Sequence, residues 1–500
     1  MSRTTKIWLV FAGIIVFASF LRLYHITTTP TGLYPDEAMD GNNALEVIQT
    51  NHFKVFYVED NGREGLYVNT LVFFIKAFGN KPWVVRLPAA ITGILTVAGM
   101  YFLGEELFGT EVGLLAAFLL GACFWHIDLS RVGFRAIMAP LALVWSLYFL
   151  IKSFRSTKEL RAWIYAIVGG IIFGAGFYTY IAYRVTPLLF LLFIPFFKKN
   201  PGFWKRAAVF VTVTFLVALP LGLYFLHNPG DFFGRTAQIS VTNAKSPLSE
   251  FILNVGKTLA MFNFRGDGNW RQNIAGAPEL FLPVGILFLF GIVLSACFLF
   301  WKKRNPQSSE QSVRDAGLMI KDYAFGLWLM FAWFILAILP AAASDEGIPH
   351  ALRSILTLPP AIFFAALAGI WTYHKIRNNG LKKTATAFLL VFVVIVGVNA
   401  YVSYFITWAK NPNIYWAFNE NYVEIGNQIN ALPQSTQKYV VVTAGGVLAR
   451  GIPVPAETVM FVTNSFTTST QITNHITYLL PDQTSTIPAG TPTSTIFYVN

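Results

Sequence analysis

Residues 32–38 of the chain read Gly-Leu-Tyr-Pro-Asp-Glu-Ala and stand a few residues beyond its first long apolar run. Two neighbouring carboxylates, Asp36 and Glu37, are therefore predicted to lie at the end of a membrane span. Charged groups at a membrane are costly unless they are solvated, paired or used in chemistry. We therefore treat this pair as the main indication of function in the sequence.

The composition predicts a polytopic membrane protein. Of the 500 residues, 55% are hydrophobic and only 12% are charged, which is about half the charged fraction of an ordinary soluble domain. Cys123 and Cys297 are the only cysteines and lie within apolar runs, so no disulfide framework or zinc site is predicted. A window of about 20 apolar residues predicts eleven membrane spans, at residues 7–24, 84–104, 112–127, 136–152, 163–182, 186–197, 207–226, 279–300, 323–342, 353–373 and 384–408.

The formal net charge of +12 comes from basic clusters between the apolar runs, which argues for membrane topology rather than nucleic-acid binding. These clusters share one side of the membrane if the N-terminus is cytoplasmic and the number of spans is odd. Because lysine and arginine favour the cytoplasmic side, we expect a multi-pass cell-membrane protein with Asp36, Glu37 and the C-terminal tail outside. The first span is interpreted as an uncleaved anchor. The clusters are Lys152, Arg155, Lys158 and Arg161; Lys198, Lys199, Lys205 and Arg206; Lys302, Lys303 and Arg304; and Lys375, Arg377, Lys382 and Lys383.

The external parts are predicted to have structure of their own. Residues 37–49 and 65–79 have the pattern of helices in the membrane interface, and the polar connection 227–278 is long enough for a lid. A domain boundary is expected between a transmembrane domain, residues 1–409, and a small external α/β domain, residues 410–500. The connection and the small domain are both expected to select the acceptor and to carry no bond-making groups. The elements predicted in the small domain are a helix at 419–431, strands at 439–443 and 459–462, a helix near 468–479 and a strand at 495–499.

A set of short motifs follows in order along the chain on the predicted outer side. The motifs are Tyr-Pro-Asp-Glu-Ala (34–38), Gly-Arg-Glu-Gly-Leu-Tyr (62–67), Trp-Val-Val-Arg-Leu-Pro-Ala-Ala (83–90), Leu-Phe-Gly (107–109), His-Ile-Asp-Leu-Ser-Arg (126–131), Gly-Phe-Arg (133–135), Met-Phe-Asn (261–263), Gly-Asp (266–267) and Pro-His-Ala-Leu-Arg (349–353). In this order they resemble the protein-O-mannosyltransferase-like family, which is family 39 of the integral-membrane glycosyltransferases of the GT-C fold and is related to the lipid A aminoarabinose transferases. The resemblance covers about residues 8–375, does not extend to the tail, and has Gly65 where many relatives have Pro.

The resemblance implies an all-α GT-C membrane domain that transfers a sugar, mannose or a related one, from a polyprenyl-phosphate donor to an acceptor hydroxyl with inversion. Inversion requires a base on the acceptor, and we assign this role to Asp36, with Glu37 orienting the acceptor or tuning Asp36. The leaving phosphate requires fixed positive charge. No cofactor is required, a divalent cation is left open, and the acceptor is a protein, a lipid or a glycan. The donor-binding candidates are Arg131, Arg135, Arg353, Asp128, His350, Arg63, Glu64, Arg265 and Arg271.

Several of these residues also have an ordinary structural interpretation. Asp36 could cap the helix that follows it. Asp128 could simply pair with Arg131, and Arg131 and Arg135 could reach lipid headgroups. The sequence leaves these interpretations open.

Two further alternatives concern a local pair and the start of a span. Arg63 and Glu64 could form an ion pair of little energetic value, and His350 and Arg353 could contact headgroups. For the whole chain, the alternatives to an enzyme are a polytopic transporter or a non-enzymatic scaffold with an external binding domain. A transporter is expected to have ionisable groups near the midplane and repeated halves, and neither is recognisable in the sequence.

Overall fold

The computed structural model describes residues 2–304, 323–487 and 494–500. Up to Trp408 the described chain is almost entirely helical, with one small hairpin of β1 (Phe56–Tyr57) and β2 (Arg63–Glu64). The α-helices are α1 (Arg3–Leu23), α2 (Pro35–Thr50), α3 (Leu66–Phe78), α4 (Pro82–Phe108), α5 (Thr110–Ala122), α6 (Phe124–Leu129), α7 (Met138–Arg155), α8 (Glu159–Gly176), α9 (Phe193–Phe197), α10 (Phe203–His227), α11 (Pro229–Gln238), α12 (Pro247–Ala260), α13 (Leu282–Arg304), α14 (Tyr323–Ala342), α15 (Leu358–Asn378) and α16 (Lys382–Tyr401). Four 3-10 segments, Arg135–Ile137, Ile181–Leu192, Val241–Asn243 and Ile355–Thr357, lie between these helices, and a π-helical segment, Val402–Trp408, continues α16.

Nine helices in the described part of the chain are long and apolar enough to cross a membrane, so the protein is a multi-pass membrane protein. They account for nine of the eleven predicted spans. The predicted spans 112–127 and 186–197 are wrong as full-length helices. Cys123 has an extended backbone that ends α5 after 13 residues, and the second span is a 3-10 segment followed by the short α9. The nine helical spans are Arg3–Leu23, Pro82–Phe108, Arg135–Arg155, Glu159–Gly176, Phe203–His227, Leu282–Phe300, Tyr323–Ala342, Ile355–Asn378 and Lys382–Trp408.

The two shorter segments nevertheless run between the two ends of the helix bundle. At the end of α5, the Gly121 carbonyl accepts a hydrogen bond from Arg22, at the end of α1. The other segment begins near Arg184, which contacts the β1–β2 hairpin, and ends at Phe197, which packs on Phe154 near the far end of α7. The chain therefore changes ends at these segments as the sequence predicted, although neither contains one long helix.

The first long connection contains both predicted helices, α3 and α2, and α2 is enclosed by protein along much of its length. Its residues from Glu37 to Leu45 are all buried. A Cβ added to Gly41 would lie 2.5 Å from the ring of Phe461 in the C-terminal domain. The helix is therefore enclosed between the bundle and that domain, because its small residues allow a close approach.

The C-terminal region is a small α/β unit, as predicted. Its central sheet is parallel with β3 in the middle, and the two outer strands pair with it from Lys438 to Val441 and from Gln437 to Val442. The predicted strand 459–462 is wrong because this apolar run forms a helix, and a short buried run has no periodicity that separates the two states. The predicted helix 468–479 ends at Asn474 and is followed by a strand. The elements are α17 (Asn413–Ala417), α18 (Glu420–Ala431), β3 (Gln437–Val442), β4 (Leu448–Ala449), β5 (Ile452–Pro453), α19 (Glu457–Val462), α20 (Thr468–Asn474), β6 (Ile476–Leu479) and β7 (Ser494–Val499), with 3-10 turns Val454–Ala456 and Pro481–Thr486.

A buried ion pair holds the start of α2 against the bundle. Arg86, on α4, donates to both carboxylate oxygens of Glu37, at 2.8 and 3.0 Å. The same carboxylate accepts the backbone N–H groups of Tyr34 at 3.1 Å and Gly133 at 2.7 Å. Arg86 also donates to the carbonyls of Pro30 and Gly32. One ion pair thus joins α2, α4, the segment before α2 and the segment before α7.

We predict that Arg86→Ala strongly destabilises the protein, because it leaves the Glu37 carboxylate buried without its counter-charge. Breaking a buried pair in this way costs about 3–5 kcal/mol. Lys257→Ala is the matched control, since Lys257 pairs with Glu250 at 3.8 Å and both side chains are more than a third exposed; such pairs contribute about 0–1 kcal/mol. Thermal unfolding of both variants in detergent measures the difference. Equal midpoints for the two variants would contradict the assignment.

Candidate active site

A large open cavity lies at the end of the bundle where α2 begins. Its volume is 1490 Å³, and its wall combines the start of α2, the β1–β2 hairpin, the segments 265–276 and 346–353, and α17. The C-terminal domain therefore contributes to the wall through Asn413, Trp416 and Ala417. The charged residues of the wall are Asp36, Asp60, Arg63, Glu64, Arg135, Arg184, Asp231, Lys257, Arg265, Asp267, Arg271, Glu346 and Arg353.

Asp36 is a half-buried residue of this wall. Within the described part of the chain, no hydrogen bond or ion pair to its carboxylate is found. Burial raises the pKa of Asp36 to about 6, and the negative charge of Asp60 acts in the same direction, while Arg63 and Arg271 oppose the shift. A carboxylate with a pKa near neutrality and an open face is suited to accept a proton from a bound molecule.

Glu37 lies apart from the cavity, wholly buried in its contacts with Arg86, Tyr34 and Gly133. The predicted role of orienting an acceptor therefore has no support in its position, and its place in the fold is that of an anchor for the helix that carries Asp36. The start of α2 does not support the interpretation of Asp36 as a simple cap. The N-cap residue is Tyr34, which directly precedes α2, and the carboxylate that accepts its N–H belongs to Glu37.

The β1–β2 hairpin supplies a row of paired charges to one side of the cavity. Arg63 donates to Asp40 at 3.1 Å and also to Asp60. Glu64 accepts from Arg135 at 3.1 Å and from Arg184 at 3.3 Å. The structure thus brings together the predicted residues Arg63, Glu64 and Arg135, each with a partner of opposite charge.

Arg184 also lines the cavity, although it is not among the predicted site residues. It lies within the 3-10 segment Ile181–Leu192, where its guanidinium also donates to the Phe232 carbonyl at 3.0 Å and covers the ring of Phe232. A single arginine between two apolar runs was the available signal. Arg184 falls in the gap between the predicted spans 163–182 and 186–197, and nothing in that gap indicates a place on the cavity wall.

Two predicted donor-binding residues, Arg131 and Asp128, do not line the cavity. Arg131 is fully buried and donates to the carbonyls of Leu21 at 3.1 Å and Thr29 at 2.8 Å. Its guanidinium lies 5.0 Å from the ring centre of Tyr404. Asp128 is fully buried as well. The structure therefore places these two residues inside the protein, where Arg131 joins the end of α1 to the π-helical segment.

The predicted residues Arg353, His350 and Arg265 lie elsewhere on the cavity wall. Arg353 donates hydrogen bonds to the Ser344 hydroxyl and to Glu346. It contacts the Glu346 carbonyl at 2.7 Å and the Glu346 carboxylate at 3.2 Å. His350 lies 3.8 Å from the Asp267 carboxylate, and burial raises the pKa of Asp267. Arg265 is exposed at the rim.

Arg271 differs from the other buried or half-buried cations of the wall. Its guanidinium lies 3.7 Å from the ring centre of Tyr34, two residues before Asp36. No carboxylate within 4 Å of it is found among the described residues, whereas Arg63, Arg135, Arg184 and Arg353 each have one. Arg271 is therefore a cation held near Asp36 with hydrogen-bonding capacity left for a ligand.

The segment that carries Arg271 is fixed by hydrogen bonds on both sides. Asp267 accepts the N–H groups of Ala351 and Asn269, both at 2.8 Å. Gln272 accepts the N–H of Leu352 at 3.1 Å, and the Trp270 carbonyl accepts the indole N–H of Trp408 at 2.8 Å. These contacts hold the segment against the 349–353 motif and the π-helical segment. For the described ranges, no group of three or more His, Cys, Asp and Glu side chains is placed to hold a metal ion.

Comparisons with known proteins agree with this architecture. Residues 67–224 match the family model of dolichyl-phosphate-mannose-protein mannosyltransferase. None of the curated protein sequences matches the chain. ArnT from Cupriavidus metallidurans, in a crystal structure with bound undecaprenyl phosphate, is similar over 99% of this chain and 93% of its own, with a TM-score of 0.58 and 13% identity.

A second solved structure shares the fold over much of its length. The archaeal oligosaccharyltransferase AglB from Archaeoglobus fulgidus, in complex with an inhibitory peptide and a dolichol-phosphate, is similar over 92% of this chain, with a TM-score of 0.57 and 14% identity. The match spans only 64% of the AglB chain. The structural likeness confirms the predicted GT-C fold, and the matching family model makes residues 67–224 similar to the protein mannosyltransferases.

Proposed function

We propose that this membrane protein transfers a sugar from a polyprenyl-phosphate donor to an acceptor hydroxyl, with inversion at the anomeric carbon and with Asp36 as the general base. The observation that carries the proposal is that Asp36 and Arg271 lie on the wall of one cavity and that neither has an ion-pair partner among the described residues. The undecaprenyl phosphate bound to ArnT and the dolichol-phosphate bound to AglB support a donor of this class.

The reaction assigns one role to each of the two groups. Asp36 removes the proton from the acceptor hydroxyl as its oxygen attacks the anomeric carbon. The bond between that carbon and the phosphate oxygen breaks on the opposite face of the sugar, and the phosphate leaves with the electron pair. Arg271 stabilises the negative charge that develops on the phosphate, and its planar fork suits two phosphate oxygens.

The surrounding charges support this division. Burial and the charge of Asp60 raise the pKa of Asp36 to about 6, while Arg63 limits the rise, so the carboxylate is ionised at neutral pH and still basic enough to take a proton. Arg63 and Arg135 are already paired with acids of the chain, and Arg131 is buried elsewhere. The donor phosphate is therefore assigned to Arg271, with Arg265 beside it at the rim.

The sugar and the acceptor are proposed only as classes. The family match over residues 67–224 favours mannose or a related sugar, and the acceptor is a hydroxyl of a protein, a lipid or a glycan. We also propose that the N-terminus is cytoplasmic and that the cavity and the C-terminal domain face outside, because the basic clusters fall at the other end of the bundle. A transporter is disfavoured, since Asp36 and Arg271, which have no ion-pair partner among the described residues, both lie at one end of the bundle.

Asp36→Asn is predicted to lower the rate of sugar transfer by about 10²–10⁴-fold, since the base is lost while the shape of the cavity is kept. Asp231→Asn is the matched control, because Asp231 lines the same cavity but accepts a hydrogen bond from Tyr224 at 2.6 Å. The assay follows a synthetic short-chain polyprenyl-phosphate sugar and its products by mass spectrometry. In the wild type the rate should rise with pH through about 6, where Asp36 loses its proton.

Near-normal transfer by Asp36→Asn would remove Asp36 as the base. A wild-type protein in lipid discs that transfers no sugar from any polyprenyl-phosphate donor tested, while remaining folded, would contradict the proposed function as a whole.

Arg271→Lys is predicted to weaken binding of the donor phosphate by about tenfold or more, because the bidentate contact is lost although the charge remains. Arg131→Lys should leave donor affinity unchanged, since Arg131 lies outside the cavity. Affinity is measured by calorimetry with a short-chain polyprenyl phosphate. If Arg131→Lys weakened binding and Arg271→Lys did not, the assignment of the phosphate site would be reversed.

A further inference from the structure

We propose that the C-terminal domain positions the catalytic base through a buried contact between Asn42 and Glu457, which makes these two side chains positioning residues for the reaction. This inference rests on the function proposed above. It goes beyond the expectation that the domain selects only the acceptor, and it assigns the domain a part in the rate of the chemical step.

The contact joins the middle of α2 to the first residue of α19. Asn42 donates from its Nδ2 to the Glu457 carboxyl Oε2 at 2.7 Å and to the Glu457 carbonyl at 3.0 Å. Both side chains are fully buried. The two remaining oxygens, Asn42 Oδ1 and Glu457 Oε1, are buried and have no hydrogen-bond donor among the described residues.

A protonated Glu457 fits this arrangement. Burial raises the pKa of Glu457 to about 8, against the lowering effect of Asn42, Arg63 and Arg450. A protonated Glu457 carries one O–H donor. An ionised Glu457 would leave both remaining oxygens, Asn42 Oδ1 and Glu457 Oε1, without a hydrogen bond among the described residues. An acid and an amide of this kind can hold two elements in one orientation without placing a second charge beside Asp36.

Two other residues of α19 contact α2 or the segment before it. Thr458 donates to the carbonyl of Leu33 at 2.8 Å, and Leu33 lies three residues before Asp36. The ring of Phe461 lies so close to Gly41 that a methyl group there would overlap it. The domain thus contacts α2 on its buried side and also the segment that leads into it.

The domain also reaches the charges that set the pKa of Asp36. Arg450 donates to Glu46 at 2.9 Å and to Glu59 at 3.0 Å, and Glu59 directly precedes Asp60. Asp60 is the charged neighbour that most raises the pKa of Asp36. The same domain therefore supports both α2 and the hairpin that faces Asp36.

The physical consequence follows from the length of α2. A 16-residue helix has little stability of its own, so its direction is determined by what it packs against. Asn42 lies six residues from Asp36, a distance of about 9 Å along the helix. A tilt that begins at Asn42 therefore displaces the carboxylate, and a displacement of about 1 Å costs about 10²-fold in rate.

The test compares Glu457→Ala and Glu457→Gln in the full chain. We expect Glu457→Ala to lower kcat by about tenfold to hundredfold with little change in donor KM, because the cavity cations stay in place. The dependence of its rate on pH should change as well. Water that reaches a loosened Asp36 lowers the pKa of that carboxyl below about 6. The acid limb of the profile, where the rate rises as Asp36 loses its proton, therefore moves to lower pH. Glu457→Gln should restore kcat, since an amide supplies the missing donor without a charge.

Tyr478→Phe is the matched control. The Tyr478 hydroxyl makes a buried hydrogen bond with Ser465 at 2.8 Å within the C-terminal domain, so its loss weakens the domain without touching Asn42 or Glu457. We expect wild-type kcat and an unshifted acid limb for this variant. Asn42→Asp, which sets a second acid against Glu457, should reproduce the loss of kcat even if Glu457→Ala fails to fold.

The outcomes separate the two proposals. The positioning role would be overturned if Glu457→Ala and Asn42→Asp both had wild-type kcat and an acid limb near pH 6. It would also be overturned if Tyr478→Phe lost as much activity as those two variants. Absence of transfer in the folded wild type would instead contradict the proposed function, and with it the reaction that these residues are said to serve.

Discussion

The buried pair of Glu37 and Arg86 is the interaction on which the rest of the site depends. Taking two charges out of water costs several kcal/mol for each ion, and the attraction between them offsets this only when every remaining hydrogen-bonding position is used. Here the carboxylate and the guanidinium are both filled by backbone groups of the surrounding segments. The benefit is specificity: few other arrangements of α2 on α4 satisfy both charges.

The pairing of the other charges decides which groups are left for chemistry. Most acids and arginines around the cavity neutralise one another, as Arg63 does with Asp40 and Asp60. Asp36 and Arg271 differ because one has no partner among the described residues and the other stacks on Tyr34. A site built in this way can bind a phosphate and accept a proton without first breaking an internal ion pair, which would slow the reaction.

The sequence allowed the fold class to be predicted and Asp36 to be proposed as a base, because both inferences depend on local information. Hydropathy identifies long spans, and a carboxylate beside a span can be recognised without knowing which residues lie near it in the fold. The burial of Glu37 and Arg131 could not be predicted, because burial of a charge depends on neighbours that are remote in the chain, such as Arg86 and Thr29. The end of α5 at Cys123 was missed for a related reason, since an apolar residue carries no signal that the backbone leaves the helix there.

The central claim is that Asp36 and Arg271 share one reaction centre inside the cavity. A cryo-electron microscopy structure of the protein in lipid discs with a polyprenyl phosphate tests it most directly. The account predicts phosphate oxygens within hydrogen-bonding distance of the Arg271 guanidinium, with the Asp36 carboxylate facing the space where the sugar and acceptor meet. A phosphate bound away from this cavity, or bound by Arg353 with Arg271 still stacked on Tyr34 and Asp36 turned away, would contradict it.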